Sequence, residues 1–380
     1  MTQDAASTPD SDDLPPKPDG PLRRGWTTGC CAAAAARAAL IALHNGGRFP
    51  DQISVRLPRG EQPSFALSRA IWDPETGSAE AGIIKDAGDD PDVTHGAEIR
   101  ACVRSLSPGS GLHWRAGEGV GTVTRPGLAL EPGQPAINPK PRAIIEDNLL
   151  LADGSRPAPD LEITVSIPGG EALAEKTLNG RLGILGGLSI LGTTGIVEPF
   201  SCSAWIHSIH RGIDVARALA LPHLAGATGR TSEAAIRALH DLPDPAIVDM
   251  GDFAGAVLTY LRRNPVPHFT IAGGFAKISK LADGHMDLHS RRSAVDFTRL
   301  AARLEAAGAD DTAIALAKQA SATGTVLEQA KRCRIDLPAV IATEALNVAR
   351  KRVTPADGPS QTQISVAIFD RAGKILAHAA

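Results

Sequence analysis

Between Asn179 and Ile196 the chain reads NGRLGILGGLSILGTTGI, with six glycines in eighteen residues. A run this rich in glycine keeps neither a helical nor a strand period, so its backbone must turn or approach another group closely. It can wrap a ligand, with Thr193 and Thr194 offering hydroxyls, or it can act as an interdomain hinge. The pattern differs on its two sides. Before it, short strand-like runs at 53–57, 64–72, 80–84, 98–105, 113–125 and 161–167 are separated by Gly and Pro clusters, with a short helix at 171–178. Ahead of these, Thr27, Thr28 and Gly29 lead into an Ala-rich stretch to His44, a reasonable helix N-terminus. After it, strands at 223–227, 246–250 and 268–272 alternate with helices at 202–220, 232–240, 252–263 and 275–282. Such alternation indicates βαβ units and a parallel sheet. Helices at 292–307, 312–318, 324–332 and 338–352 and a hairpin of 363–369 with 374–377 complete the chain.

A chain of 380 residues exceeds what one core usually supports. The expected fold class is therefore two-domain α/β. An α+β domain over 22–195 carries an acidic loop, and a Rossmann-like α/β domain over 196–380 has a mainly parallel sheet, C-terminal helices and a hairpin. Residues 1–21 are acidic and Pro-rich, have no signal-peptide pattern, and are expected to form a disordered tail. Hydrophobic residues make up 43 %, but only 8 Phe, 4 Trp and 1 Tyr occur, so the cores must be aliphatic. Few aromatics, a net charge of −3 and no basic run argue against a nucleic-acid partner. The longest apolar run, around Cys30–Leu43, contains Arg37 and reads as a buried helix, not a membrane span. Five irregularly spaced cysteines without a CxxC pair fit free thiols in a reducing, cytoplasmic setting and give no structural zinc site.

The densest chemistry is KDAGDDPDVTHG, Lys85–Gly96. Asp86, Asp89, Asp90 and Asp92 crowd a loop after a strand, between Lys85 and His95. Crowded carboxylates repel, which raises some of their pKa values and suits proton transfer. A solvated acidic turn and a divalent-cation loop are the other readings, although the spacing departs from the EF-hand ladder. In the second half ATGRTSE, Ala227–Glu233, joins a strand to a helix that Thr231 or Ser232 can cap. Asp249 ends the next strand, where nucleotide-binding folds hold a ribose. Gly273 and Gly274 follow the third strand, ahead of Lys277 and Lys280. The glycine spacing is not G-x-G-x-x-G, so an ordinary capped turn is an equal reading. His285 and His289 lie four apart, which on a helix is a metal pair; lacking an HExxH glutamate, the segment is read as a polar ligand-facing loop and no metal is assigned.

Four long stretches, RGWTTGCCAAAAARAA (Arg24–Ala39), IIKDAGDDPDVTHGAEI (Ile83–Ile99), EPGQPAINPKPR (Glu131–Arg142) and GRLGILGGLSILGTTGIVEPFS (Gly180–Ser201), resemble the cobalt-precorrin-5B C1-methyltransferase family, CbiD. ATGRTSE, MGDFAG and GGFAKISKLADGHMDLHSRRS resemble it too. Small departures are Trp26, where Tyr is common, and Cys30–Cys31, where Thr–Cys is frequent. The resemblance implies methyl transfer from S-adenosyl-L-methionine to carbon C1 of cobalt-precorrin-5B, giving cobalt-precorrin-6A in cobalamin biosynthesis.

With that reaction, Asp86, Asp89, Asp90 and His95 are the expected catalytic groups, steering the protonation of the macrocycle. Thr228, Gly229, Ser232, Asp249, Gly251 and Gly273 are expected to hold the donor. Thr27, Thr28, Lys85, Asn138, Arg142, Lys277 and His289 are expected to meet the corrin precursor, whose carboxylate arms call for basic partners. A homodimer is expected. A non-catalytic tetrapyrrole carrier and a metal-dependent hydrolase built on the Asp loop are the alternatives.

Overall fold

The computed structural model describes residues 20–153 and 160–380, so the tail expected over 1–21 lies almost wholly outside the described residues. The chain divides into two compact units, Met1–Cys202 and Ser203–Ala380.

The first unit runs β1 (Gly25–Trp26), α1 (Thr28–His44), β2 (Gln52–Ser54), β3 (Ser64–Ala66), β4 (Arg69–Asp73), β5 (Ser78–Ile84), β6 (Glu98–Ser105), β7 (Leu112–Ala116), β8 (Thr122–Val123), α2 (Pro139–Asp153), β9 (Leu161–Ser166), α3 (Gly170–Ala174), α4 (Asn179–Leu182), β10 (Ile184–Leu185) and β11 (Ile196–Val197). Its main sheet has the order β4-β5-β6-β9-β7, antiparallel except between β7 and β9. The inward positions alternate as a half-buried sheet requires: Ala79, Ala81 and Ile83 on β5, and Ile99, Ala101 and Val103 on β6. Against β5 and β6 packs α1. Its first turn is capped by the Thr27 hydroxyl, which accepts the Cys30 amide at 3.2 Å. From Thr28 to Ala36 every residue is buried. A helix apolar all round belongs inside a domain, and small alanines let α2 and the sheet both close on it.

Two expectations need correction. The runs 64–72 and 113–125 are each two shorter strands. Helix α2 was not anticipated, because Pro139 and Pro141 read as loop; both fall in the first turn, where a missing N–H costs little. The buried Asn148 docks α2, accepting from the Arg56 amide at 2.8 Å and donating to its carbonyl at 2.9 Å.

The Gly-rich run is built into this unit and is not a free hinge. The Gly29 amide donates to the Leu191 carbonyl at 3.0 Å, the Thr27 amide to Gly195 at 3.0 Å, and β11 pairs with β1. Gly192 sits at φ +119°, and a Cβ there would lie 2.3 Å from the Thr27 hydroxyl. Because β11 pairs with β1, the first unit extends past residue 195 to Cys202.

The second unit runs α5 (Cys202–Ala218), β12 (His223–Ala227), α6 (Arg230–His240), β13 (Ile247–Asp249), α7 (Ala254–Arg263), β14 (His268–Gly274), α8 (Phe275–Ala282), α9 (Phe297–Ala306), α10 (Asp311–Lys318), α11 (Thr323–Arg332), α12 (Leu337–Val353), β15 (Gln363–Phe369) and β16 (Ile375–Ala379). Its mixed sheet has the order β13-β12-β14-β15-β16. The pairings β12–β13, β12–β14 and β14–β15 are parallel, and β15–β16 is antiparallel. The order reverses at β12, with the next strand in sequence on one side and the one after it on the other. Central strands buried on both faces read as continuous apolar runs, as FTIA does in β14. Among the described residues no helix is long and apolar enough to cross a membrane.

Candidate functional site

The acidic loop of the first unit is a clasp. Its aspartates each reach a separate partner, although Asp92 still repels Asp90. The Asp86 carboxylate takes both Arg23 guanidinium nitrogens, at 2.5 and 2.9 Å, and the Gly88 amide at 2.9 Å. Asp89 accepts the Arg23 amide at 2.6 Å and returns its own amide to the Arg23 carbonyl. Asp90 accepts the Phe200 amide at 2.8 Å. Asp92 takes Lys85 Nζ at 2.6 Å on one oxygen and the Thr94 amide and hydroxyl on the other. His95 Nδ1 accepts the Ala87 amide at 3.1 Å.

The expectation that crowding raises some of the carboxyl pKa values holds for Asp90 and not for Asp86 or Asp92. The Arg23 hydrogen bonds hold Asp86 down at about 2. Burial pushes Asp92 up, but Lys85 and then the Thr94 hydrogen bonds together reverse it, so the carboxyl stays below its ordinary value. Asp90 is raised, chiefly by its own burial and further by the neighbouring Asp92 carboxylate. Lys85, expected to meet substrate, is 1 % exposed and committed to Asp92.

Other expected substrate residues of this unit are also engaged internally. Thr28 is buried, and its hydroxyl accepts the Leu191 amide at 3.1 Å. Thr27 caps α1. Asn138 donates to the Ile190 carbonyl. Arg142 donates to the Ile137 carbonyl at 2.8 Å and stacks over the Trp114 ring. These residues are expected at the ligand because the corrin's carboxylate arms call for polar and basic partners; here each also makes bonds within its own unit.

In the second unit the residues expected to hold a donor do converge. Thr228 and Gly229 follow β12, Asp249 ends β13 with Gly251 beyond it, and Gly273 is the penultimate residue of β14. All lie at the carboxyl ends of adjacent parallel strands. Backbone bonds tie them: the Thr228 amide to Ala272 at 2.9 Å, and the Gly251 amide to Ala227 at 3.0 Å. Lys277 Nζ donates to the Thr228 carbonyl at 2.7 Å and pairs with the buried Asp252 at 3.1 Å. Neither Thr231 nor Ser232 caps α6. Its N-cap is Gly229, with no side-chain cap, and the Ser232 hydroxyl donates to the Gly229 carbonyl at 2.8 Å. The first-turn amides of α6 therefore have no side-chain acceptor at the cap. A Cβ at Gly251 would meet only Trp205 Nε1, at 3.9 Å, and one at Gly274 nothing within 4 Å. The backbone at this edge borders open space.

His285 and His289 do not lie on a helix, so the metal-pair geometry does not arise. His289 Nδ1 accepts the Arg291 amide at 3.1 Å. Among the described residues no group of three or more His, Cys, Asp or Glu is placed to hold a metal ion. All five cysteines are free; Cys30 and Cys31 are buried packing residues, and burial pushes Cys31 up to about 12.

A histidine cluster went unnoticed in the sequence, since its members are far apart in the chain. His223 stacks on His268 at 4.1 Å, and His240 meets His223 edge-on at 4.6 Å. His223 bonds the Thr270 hydroxyl at 2.7 Å, and His268 the Ser365 hydroxyl at 3.0 Å. Burial, then the neighbouring imidazoles, lower His223 to about 4; burial first also lowers His268 and His240. These groups are neutral in the folded chain and bind protons more readily unfolded. Their stability contribution is whole above about 6.5 and is lost as pH falls toward 4. His223→Gln should flatten the fall in denaturation midpoint across that window by about 2 kcal/mol, discounted for partial exposure; a variant with the wild-type slope would contradict this.

The family model CbiD matches residues 16–199, and the model CbiD, C-terminal domain, matches 287–380. Proteins named cobalt-precorrin-5B C(1)-methyltransferase are similar along nearly the whole chain. That of Bradyrhizobium sp. is 54 % identical over 94 % of this chain and 93 % of its own length. That of Rhodospirillum rubrum is 54 % identical over 93 % and 96 %, and that of Brucella canis 55 % over 94 % and 95 %. A crystal structure of a cobalamin biosynthesis protein (cbiD) from Archaeoglobus fulgidus is 28 % identical, covers 72 % of this chain and 84 % of that one, and has a TM-score of 0.38. With both family models matched and relatives this similar end to end, the chain belongs to the CbiD family.

Proposed function

We propose that the chain transfers the methyl group of S-adenosyl-L-methionine to carbon C1 of cobalt-precorrin-5B, giving cobalt-precorrin-6A during cobalamin biosynthesis. One observation carries the reading: relatives sharing 54 % of positions over 94 % of this chain bear the name of that activity. The same reading makes the substrate a polycarboxylate tetrapyrrole, places the enzyme in the cytoplasm as a homodimer, and gives it no nucleic-acid or membrane partner.

The second unit is read as Rossmann-like and as the seat of the donor. In open α/β sheets ligands bind at the carboxyl ends of strands where the order reverses, and the turns after β12, β13 and β14 meet there. Open space beside Gly251 and Gly274 suits close approach of a nucleoside. S-adenosylmethionine supplies an electrophilic methyl group when bound. Asp249 would accept from ribose hydroxyls, and the amides at the start of α6 would face the donor's polar edge. Thr228 and Lys277 act as positioning residues, since the Lys277 ammonium fixes the β12 turn to Asp252. Catalysis then rests on holding donor and ring carbon close, aligned and dry, worth several kcal/mol. Asp249→Ala should weaken S-adenosylhomocysteine binding about tenfold, as for one lost hydrogen-bonded group, by equilibrium titration; unchanged affinity would remove Asp249 from the site.

In the first unit Asp86 and Asp89 hold Arg23, which makes them positioning residues for the loop. Asp90, held up by burial, and His95, which is exposed, are the groups left to move a proton on the macrocycle. With Nδ1 accepting the Ala87 amide, neutral His95 carries its proton on Nε2. Titration with adenosylhomocysteine and with the corrin precursor separates this reading from a carrier, which would bind the corrin alone. Activity lost to a chelator would instead favour the metal-dependent hydrolase.

A further inference from the structure

The second unit holds an open cavity that begins at Phe253, in the turn after β13, and runs away from the other strand-end turns. It lies along α7, between α5, the 286–287 segment and the end of α12, with a volume of about 420 Å³. Ile206, Phe253 and Met286 supply apolar wall. His210 and Tyr260, which also line it, stack with ring centroids 3.9 Å apart and planes 11° apart. The stack is held from behind: the Tyr260 hydroxyl donates to Asp214 at 2.7 Å, and Asp214 pairs with Arg211 at 2.8 Å. A half-buried network that fixes an aromatic pair beside a cavity helps to preorganise a flat surface.

Charge completes the picture. Arg263 and Arg352 both line the cavity. Among the described residues neither side chain makes a hydrogen bond or ion pair. The one carboxylate in the lining, Asp287, already pairs with Arg292 at 3.4 Å and accepts the His289 amide. Two guanidiniums sharing one cavity without a counter-ion favour an anion, and the guanidinium fork suits a carboxylate.

We propose that this cavity is a second binding site, which takes a flat, conjugated molecule carrying a carboxylate. The apolar body lies on the His210–Tyr260 stack and the carboxylate meets Arg263 and Arg352. Size fits the class, since small-molecule sites begin at about 300 Å³. None of the residues expected to hold the donor lines it, and Phe253 of the β13 turn is its nearest link to them.

The probe is anilinonaphthalene sulfonate, a flat apolar anion whose fluorescence rises on leaving water. The folded wild-type chain should bind it with a saturable component close to one per chain. Arg263→Gln with Arg352→Gln should weaken that component at least tenfold. Ala256→Phe, which fills the cavity and leaves the charge alone, should abolish it. Circular dichroism and an unchanged affinity for S-adenosylhomocysteine confirm that both variants fold. Wild-type probe affinity in both variants would overturn the proposal, as would the absence of a saturable component in the wild-type chain.

Discussion

Replacing Lys85 with methionine is expected to destabilise the first unit by about 4 kcal/mol, because breaking a buried pair leaves an uncompensated charge. The lysine is 1 % exposed, with its Nζ 2.6 Å from Asp92 Oδ2. Methionine fills nearly the same volume, so the loss is electrostatic and not a cavity. The urea midpoint of the first unit should fall accordingly. Lys85→Met with Asp92→Leu removes both charges and should recover most of the loss. The pH dependence has a definite sign. Asp92 is held below its ordinary value by Lys85 and the Thr94 hydrogen bonds, against the effect of burial. Its contribution is therefore present above about pH 4 and lost as the pH falls further. The double variant should lack that portion of the acid sensitivity. A single variant within about 1 kcal/mol of wild type would show that the pair contributes little.

Gly25→Ala should cost about 3 kcal/mol, at the upper end for overpacking, because nothing flexible can yield. A Cβ at Gly25 would stand 2.0 Å from the Ala87 carbonyl carbon and 2.4 Å from the Gly88 nitrogen, both backbone. The 23–26 segment would have to lift from the acidic loop. It would give up the Trp26 amide bond to Asp86, the Arg23 bonds to Asp86 and Asp89, and the pairing of β1 with β11. The melting temperature should drop by about 10 °C. Gly180→Ala, with nothing within 4 Å and no positive φ, is the control and should leave it unchanged. If the expected loss appears together with impaired methyl transfer, the clasp also holds the loop in its working shape.

How legible this was in the sequence depends on the element. β6, β12 and α8 have the bounds their patterns indicated, because period and punctuation agree there. Helix α2 was hidden by two prolines that are harmless in a first turn. The strand-end turns could be found because a βα alternation places them by rule, before any side chain is considered. The acidic loop misled for a physical reason. Repulsion among clustered aspartates survives here only between Asp92 and Asp90, because Arg23, Phe200 and Lys85 supply partners from distant or buried positions. The histidine cluster had no local signal, since β12, α6 and β14 bring its members together.

The central claim is most directly tested by incubating the purified chain with cobalt-precorrin-5B and isotopically labelled S-adenosyl-L-methionine, then locating the label in the corrin by mass spectrometry. The account predicts one labelled methyl group, on carbon C1. No transfer, with donor and corrin both intact and the chain folded, would contradict it.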